Sequence, residues 1–179
     1  MAAAGLVLLS PLLALGALAV ALSSRGPVLF RQQRVGRGGR TFEMLKFRTM
    51  KVGGGGAGVT AAGDARVTAV GRLLRRLKLD ELPELWNVLR GELALVGPRP
   101  EVPRFVDLED TRWQAVLAER PGITHPVTLR LADEEGLIAA AGGDPERFYR
   151  EELLPWKRAG YLEYEARRGA WIALIAIPL

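Results

Sequence analysis

Asp80 and Glu81 stand side by side ahead of Leu82, Leu85, Trp86 and Leu89, whose i, i+3, i+4, i+7 recurrence predicts a helix that begins near Asp80. Two carboxylates at a helix start, where free N–H groups favour anions, suit a site for phosphate and for Mg²⁺, which takes one or two protein oxygens plus substrate phosphates. Basic residues complete the set. Arg75 lies just upstream, and Arg99 sits between Pro98 and Pro100, whose rings restrict the backbone and suit a guanidinium to bidentate phosphate contact. Carboxylate, metal and arginine together favour phosphoryl-type transfer, in which an aspartate can be the nucleophile at phosphorus. Read locally, the pair is first of all an N-cap with a first-turn acid, Arg75 solvates a helix face, and Gly97-Pro98-Arg99-Pro100 is a rigid strand exit.

Composition narrows the chemistry. The 179-residue chain has no cysteine and a single histidine, His125, so thiolate chemistry and multi-histidine metal sites are excluded and acid, base or nucleophilic work falls to carboxylates, Lys, Tyr, Ser or Thr. His125, before Pro126, reads as a satisfied loop histidine. The net charge of +5 is uneven: residues 1–100 hold 15 Lys/Arg against 6 Asp/Glu, and 101–179 hold 10 against 14. The densest basic stretch, Arg25 to Lys51, follows directly on an apolar segment, as a juxtamembrane patch facing anionic lipid does; nucleic acid would be attracted by the same charge.

That apolar segment, Met1 to Leu22, carries no charge and is long enough for a helix to cover the hydrocarbon core of a bilayer. Pro11 cannot donate to the carbonyl of Val7, so a break is expected at Ser10-Pro11, with the Ser10 hydroxyl able to bond back. Either a kinked span or a helix that returns to its own face follows, and the arginines after residue 24 mark the rest as cytoplasmic. A cleaved signal peptide is the alternative, with Ala17-Leu18-Ala19 as its small-x-small site but no charged n-region.

The remaining elements must carry the carboxylates and arginines. Val28 to Gln32 and Thr41 to Met50 around Val35–Gly39 predict a hairpin. Gly53 to Gly58 reads as a surface loop, lacking the Lys-Ser/Thr of a phosphate-binding P-loop. Thr68 to Lys78 predicts an amphipathic helix with a basic face, Leu93 to Val96 a short buried strand, Pro121-Gly122 a turn, and Val127, Leu129 and Leu131 a strand. Asp144-Pro145 opens a helix, and Trp171 to Leu179 is a core or interfacial segment. The expected class is α+β: a mostly helical compact single domain with a short hairpin or small sheet, divided into a membrane-embedded helix (1–24) and a catalytic domain with interfacial helices (25–179).

The run Leu79-Asp80-Glu81-Leu82-Pro83-Glu84-Leu85-Trp86-Asn87-Val88-Leu89-Arg90-Gly91, leading to Leu95-Val96-Gly97-Pro98-Arg99-Pro100, resembles the signature of the bacterial sugar transferases called monotopic phosphoglycosyl transferases. Pro27 to Phe30, Lys46 to Met50, Arg120 to Thr124 and the Ser10-Pro11 pair extend the likeness across most of residues 5–125. The resemblance implies a re-entrant helix broken at Ser10-Pro11, a Mg²⁺-dependent site at the cytoplasmic face of the bacterial inner membrane, and transfer of a sugar 1-phosphate from a UDP-sugar to polyprenol phosphate with release of UMP. It implies that Asp80 attacks the β-phosphate and holds the phosphosugar until polyprenol phosphate takes it, with Glu81 as base or metal partner alongside Asp80. Lys46, Arg48, Arg75 and Arg99 become phosphate or nucleotide contacts. Membrane lipids are partners, nucleic acid is not, and an oligomer is compatible.

The chain departs from the family pattern in three ways: no basic, aromatic stretch precedes the membrane helix, which points to a shortened start; His125-Pro126-Val127 and Asp133-Glu134-Glu135 follow Thr124, which bears on donor-sugar choice; and the large N-terminal membrane domain of some relatives is lacking, which points to a minimal catalytic unit. A non-catalytic membrane adaptor with a basic face and an Asp-dependent phosphohydrolase are the competing readings.

Overall fold

A computed structural model describes residues 2–53, 59–131 and 133–175, with the backbone alone for 169–175. Most of the loop Gly53–Gly58 and the side chains of Trp171–Leu179 therefore lie outside the described residues. The chain begins with α1 (Ala2–Leu8) and α2 (Ser10–Ser23), bent 63° from one another at Leu9. The cause is local. Pro11 leaves the Val7 carbonyl without its helical donor, and the Ser10 hydroxyl donates to that carbonyl at 2.7 Å. Among the described residues no single helix is long and apolar enough to cross a membrane; the bent pair together meets that test of length and composition.

Both halves of the bent pair rest on the remainder of the chain. The hairpin β1 (Leu29–Val35) and β2 (Thr41–Phe47) is antiparallel, with Leu29 opposite Phe47 and Val35 opposite Thr41, and its connection uses positive φ at Gly38 and Gly39. Alternation along β2 sends Phe47 to one face, where Val20 of α2 and Leu74 cover it, and Phe42, Met44 and Lys46 to the other. Gly16 lies so close to the Phe47 ring that a Cβ there would displace it. Arg48, just past β2, donates to the carbonyls of Ser24 (2.6 Å) and Pro27, so a cation caps the negative end of α2.

Helix α3 (Ala69–Arg76) is capped by Thr68, whose hydroxyl accepts from the Gly71 N–H at 2.9 Å, and it sits against Thr49 through Gly71, where a Cβ would overlap the Thr49 backbone. The chain then turns sharply. Lys78 adopts a left-handed φ of 56°, rare for a side chain of its type, a 3₁₀ turn holds Leu79–Glu81, and α4 (Glu84–Leu89) follows. The helix expected to begin at Asp80 is thus divided, with Pro83 at the boundary, and Asp80 is not its cap. Helix α4 packs on α1 and β2. Fully buried Asn87 pins it there: its amide donates to the Glu43 carbonyl and to Glu92 Oε2, both at 2.7 Å, and its oxygen accepts from Leu45 N–H at 3.0 Å. Asn87→Ala strands three of these groups and is expected to lower unfolding free energy by about 3 kcal/mol in a denaturant titration; a change below about 1 kcal/mol would show that water replaces the amide.

Strand β3 (Ala94–Val96) runs parallel to β4 (Gly122–Thr124), and Gly97 meets Gly122 backbone to backbone, with no room for a Cβ on either. The expected burial of this strand holds only for Leu93: Leu95 and Val96 are exposed, because the sheet has two strands and nothing among the described residues covers their outer side. Pro121-Gly122 marks the start of β4 rather than a free turn. Between the strands lies α5 (Thr111–Ala118), capped by Asp110.

After β4 come α6 (Pro126–Arg130), α7 (Glu134–Ala141), α8 (Pro145–Phe148) opened by its expected Asp144 cap, and α9 (Leu154–Ile175), with a π-turn at Tyr149–Leu153 joining the last two. Of residues 127–131, expected as a strand, 127–130 are helical and Leu131 is the C-cap. Pro126 presets φ at the first helical position and His125 Nδ1 accepts from the Val127 N–H at 3.1 Å, so Val127 and Leu131 share a core face at i, i+4 while Leu129 is left 67% exposed. His125 is fully buried in this capping role, edge-on to Tyr161 and Tyr164. Trp113, Val116, Ile138, Leu153 and Tyr161 belong to the largest apolar core. The architecture is α+β, mostly helical with two small sheets.

Candidate active site

Asp80, Glu81, Lys46, Arg48, Arg75 and Arg99 line one cavity of about 1510 Å³. Their arrangement divides them into distinct jobs. Glu81 Oε1 accepts from Lys46 Nζ at 2.8 Å and from Arg99 Nη2 at 2.6 Å, so a strand residue and the residue between two prolines converge on one oxygen. Burial alone would raise the Glu81 carboxyl, but the charges of Arg99 and Lys46 overcome it and hold the group at about 2. Arg99 stays protonated despite its own burial because Glu81 and Glu84 lie beside it.

Asp80 is treated in the opposite way. It is only 7% exposed, its Oδ1 has no hydrogen-bond donor, and burial, opposed mainly by Lys46, raises its carboxyl above the usual range. Of the two adjacent acids, one is neutralised by fixed cations and the other has, among the described residues, no hydrogen-bond donor on its Oδ1. An unpaired buried carboxylate is costly, and such a cost persists in native proteins chiefly where chemistry uses the group.

The cations also separate. Arg75 donates to Thr49 Oγ1 at 2.9 Å and to Glu135 Oε1 at 2.6 Å, so its guanidinium bridges α3 to the start of α7 at the cavity wall. Arg48, grouped with the phosphate contacts by its motif, has its terminal nitrogens bound to the backbone after α2. That geometry ties it to the chain leaving the bent N-terminal helix pair. Ser10 and Pro11 are not cavity residues and act at the bend.

Several residues of the site were hidden in the sequence. Glu84 is 1% exposed, 3.4 Å from Lys46, and burial raises its carboxyl despite that cation. Its position three after Glu81 was the available signal, obscured by the apolar helix pattern around it. Also on the cavity, Tyr149 donates to Glu101 Oε2 at 2.7 Å and accepts from Lys157 Nζ at 2.8 Å, while Lys157 pairs with Glu101 at 3.0 Å and Glu134 at 3.3 Å. No local pattern connects these residues. Burial would raise the Glu101 carboxyl, but Lys157 and Arg34 hold it below its ordinary value. A depressed carboxyl stabilises the fold above its unfolded value near 4.5 and loses that contribution as pH falls through the folded value. The melting temperature of Glu101→Gln should therefore lie below wild type at pH 7, with the gap closing below about pH 4.5; a constant gap across that range would assign the loss to packing.

For a divalent cation the donor set fits. Asp80 Oδ1 lacks a donor, and both cations on Glu81 use Oε1, leaving Oε2 outside those bonds. Two hard oxygens suit Mg²⁺, whose remaining positions are ordinarily taken by water and substrate phosphate; among the described residues no three acidic or histidine side chains form a closed metal cage.

A buried carboxylate whose Oδ1 has no donor among the described residues and a fixed cluster of cations line one cavity, in a chain that opens with an apolar bent helix pair. The chain belongs to the bacterial sugar transferase family, whose model matches residues 1–140. It is 50% identical over 128 residues to the UDP-glucose:undecaprenyl-phosphate glucose-1-phosphate transferase of Caulobacter vibrioides, a match covering 69% of this chain and 48% of that protein. It is 45% identical over 122 residues to the UDP-N-acetylgalactosamine-undecaprenyl-phosphate N-acetylgalactosaminephosphotransferase of Aeromonas hydrophila, covering 65% of this chain and 29% of that one. A putative undecaprenyl-phosphate N-acetylgalactosaminyl 1-phosphate transferase of Bacillus subtilis is 41% identical over 105 residues, covering 58% and 59%. The chain spans about half the length of the first of these relatives, and less than two thirds of each.

Proposed function

We propose that this protein transfers a sugar 1-phosphate from a UDP-sugar to a polyprenol phosphate, with UMP as the other product, through a covalent phosphosugar on Asp80. The observation that carries this reading is the Asp80 carboxylate, buried on the cavity with Oδ1 unpartnered beside the Lys46–Glu81–Arg99 cluster. In the first half-reaction an Asp80 oxygen bonds to the β-phosphorus, the bond from that phosphorus to the bridging oxygen breaks, and UMP departs with that oxygen. In the second, a phosphate oxygen of the polyprenol phosphate bonds to the same phosphorus and the Asp80 carboxylate is released. Lys46 and Arg99, already oriented by Glu81, counter the charge on the transferring oxygens without reorganising, and Arg75 does so from the α3 side. Mg²⁺ on Asp80 and Glu81 supplies charge neutralisation of the donor diphosphate when bound.

Several features support a membrane seat at the cytoplasmic face of the bacterial inner membrane. Ala2–Leu8 and Ser10–Ser23 form the bent pair, α1 packs back on α4, and Val7, Leu8, Leu15, Leu18 and Leu22 are exposed. Leu73, Leu77, Trp86 and Leu89 expose further apolar area on α3 and α4 near Arg72 and Arg76, as interfacial helices do. The segment is read as re-entrant and residues 25–179 as the catalytic domain, with membrane lipid as the lateral partner and no nucleic acid.

The test is UMP release over a panel of UDP-sugars, with and without polyprenol phosphate. A burst of UMP equal to the enzyme without acceptor, and turnover with it, is expected. Sustained turnover without a lipid acceptor would identify a phosphohydrolase, and salt-sensitive vesicle binding with no UMP from any donor would identify an adaptor. Chelation by EDTA should abolish the burst and added Mg²⁺ restore it; a burst that survives EDTA would remove the metal from the reaction.

A further inference from the structure

Part of the cavity wall is built from buried charge that the transfer chemistry leaves unused. Lys157 is 2% exposed and reaches three groups there: the Tyr149 hydroxyl, Glu101 and Glu134. Holding these charges in the interior is expensive unless they are mutually paired. Arg34 and Lys157 face Glu101 and Glu134, so the charges cancel and a neutral polar wall results.

A backbone irregularity puts the wall together. Tyr149 and Lys157 are eight residues apart, and in a regular α-helix such side chains diverge by about 80° around the axis. The π-turn at Tyr149–Leu153 underwinds the chain at that point and brings both onto one side, where Lys157 donates to Tyr149 at 2.8 Å. π-Turns are poorly favoured and recur at functional sites.

The four groups are not equally occupied. Tyr149 both donates and accepts, and each oxygen of buried Glu101 faces a fixed group, Oε2 the Tyr149 hydroxyl at 2.7 Å and Oε1 the Lys157 ammonium at an ion-pair distance of 3.0 Å. Glu134 differs: its side chain is 29% exposed on the cavity, and its contact within this cluster is with Lys157 at 3.3 Å. A partly exposed carboxylate on the cavity, neutralised by a buried ammonium, is suited to take hydrogen bonds from neighbouring hydroxyls of a sugar ring. Its charge also reaches Arg99, which places it on the phosphate side of this wall.

We propose that Glu134 reads the hydroxyl pattern of the donor's sugar, and that Lys157, Tyr149 and Glu101 are positioning residues that hold its carboxylate on the cavity wall. This rests on the UDP-sugar transferase reading. The family match ends at residue 140, before Tyr149 and Lys157, so two of the residues that position Glu134 lie beyond the matched segment.

The experiment is calorimetric binding of UDP and of UDP-sugars epimeric at C4 or differing at C2 to the detergent-solubilised full chain, paired with UMP release from the same donors. Glu134→Gln keeps the shape and leaves the buried trio intact; Tyr149→Phe removes one hydroxyl from the positioning set. Both are expected to change the ratio of affinities between the preferred donor and its epimer by roughly 10- to 100-fold, with UDP affinity unchanged. Equal weakening toward all donors, or an unchanged ratio in Glu134→Gln, would overturn the assignment. Wild type that binds and discriminates UDP-sugars but releases no UMP would defeat the transferase reading while leaving sugar recognition by Glu134 standing. Wild type that binds no UDP-sugar would defeat both.

Discussion

Asp80→Asn is expected to reduce UMP release by at least about 10⁴-fold and, in the same protein, to raise the melting temperature. The two effects share one cause. Burial raises the Asp80 carboxyl and its Oδ1 has no donor, so the ionised group is held at a cost at neutral pH. For an acid whose folded value is raised, the neutral form is the one the fold prefers, so ionisation lowers stability as pH rises through the unfolded value. Asparagine has nearly the same shape without the charge and removes that cost. It also removes the oxygen nucleophile, since an amide cannot form the acyl phosphate. Mass spectrometry of wild type mixed with donor and Mg²⁺ should find the phosphosugar on the peptide containing Asp80 and none in Asp80→Asn. Turnover near wild type in this variant would eliminate the covalent route, and a fall in melting temperature would show that Asp80 has a stabilising partner.

Glu81→Gln should fail differently. Lys46 and Arg99 converge on Glu81 Oε1 at 2.8 and 2.6 Å with all three side chains mostly buried, so the substitution leaves two cations facing each other across a neutral amide. Removing one partner of such a cluster costs about 3 kcal/mol, and loss of the fixed orientation of both cations should lower kcat by roughly 10²- to 10³-fold. A phosphate ligand supplies the missing negative charge. UDP should therefore raise the melting temperature of Glu81→Gln more than that of wild type, reversing the order expected if Glu81 were merely a metal contact. Equal shifts in the two proteins would refute the idea that Glu81 holds the cations in place for phosphate.

The contrast between the two acids was not visible in their adjacency. Locally, Asp80 and Glu81 look like an N-cap and a first-turn acid, a reading that depends on a helix starting at Asp80. The left-handed Lys78 and the 3₁₀ turn put both outside α4, so capping never arises and their environments diverge. Arg48 shows the reverse case: a basic residue in a motif-rich segment whose terminal nitrogens the fold assigns to carbonyls after α2.

What the sequence determined by itself is local. The break at Ser10-Pro11 follows from a missing N–H and a nearby hydroxyl, the hairpin from alternation around glycines, and the α3 start from Thr68, since each depends on atoms a few residues apart. The extended motif around Asp80 carried the family as well. The tertiary structure decided the partners: Lys46 and Arg99 reach Glu81 across separations of 35 and 18 residues, and Tyr149 reaches Glu101 across 48. Residues 127–131 show why the boundary lies there. Their apolar alternation is compatible with a strand, and a buried histidine cap with core contacts at i, i+4 selected the helix. Side-chain pairing over such distances is chosen by which surfaces pack together, and a periodicity that repeats every two or four residues contains no record of that choice.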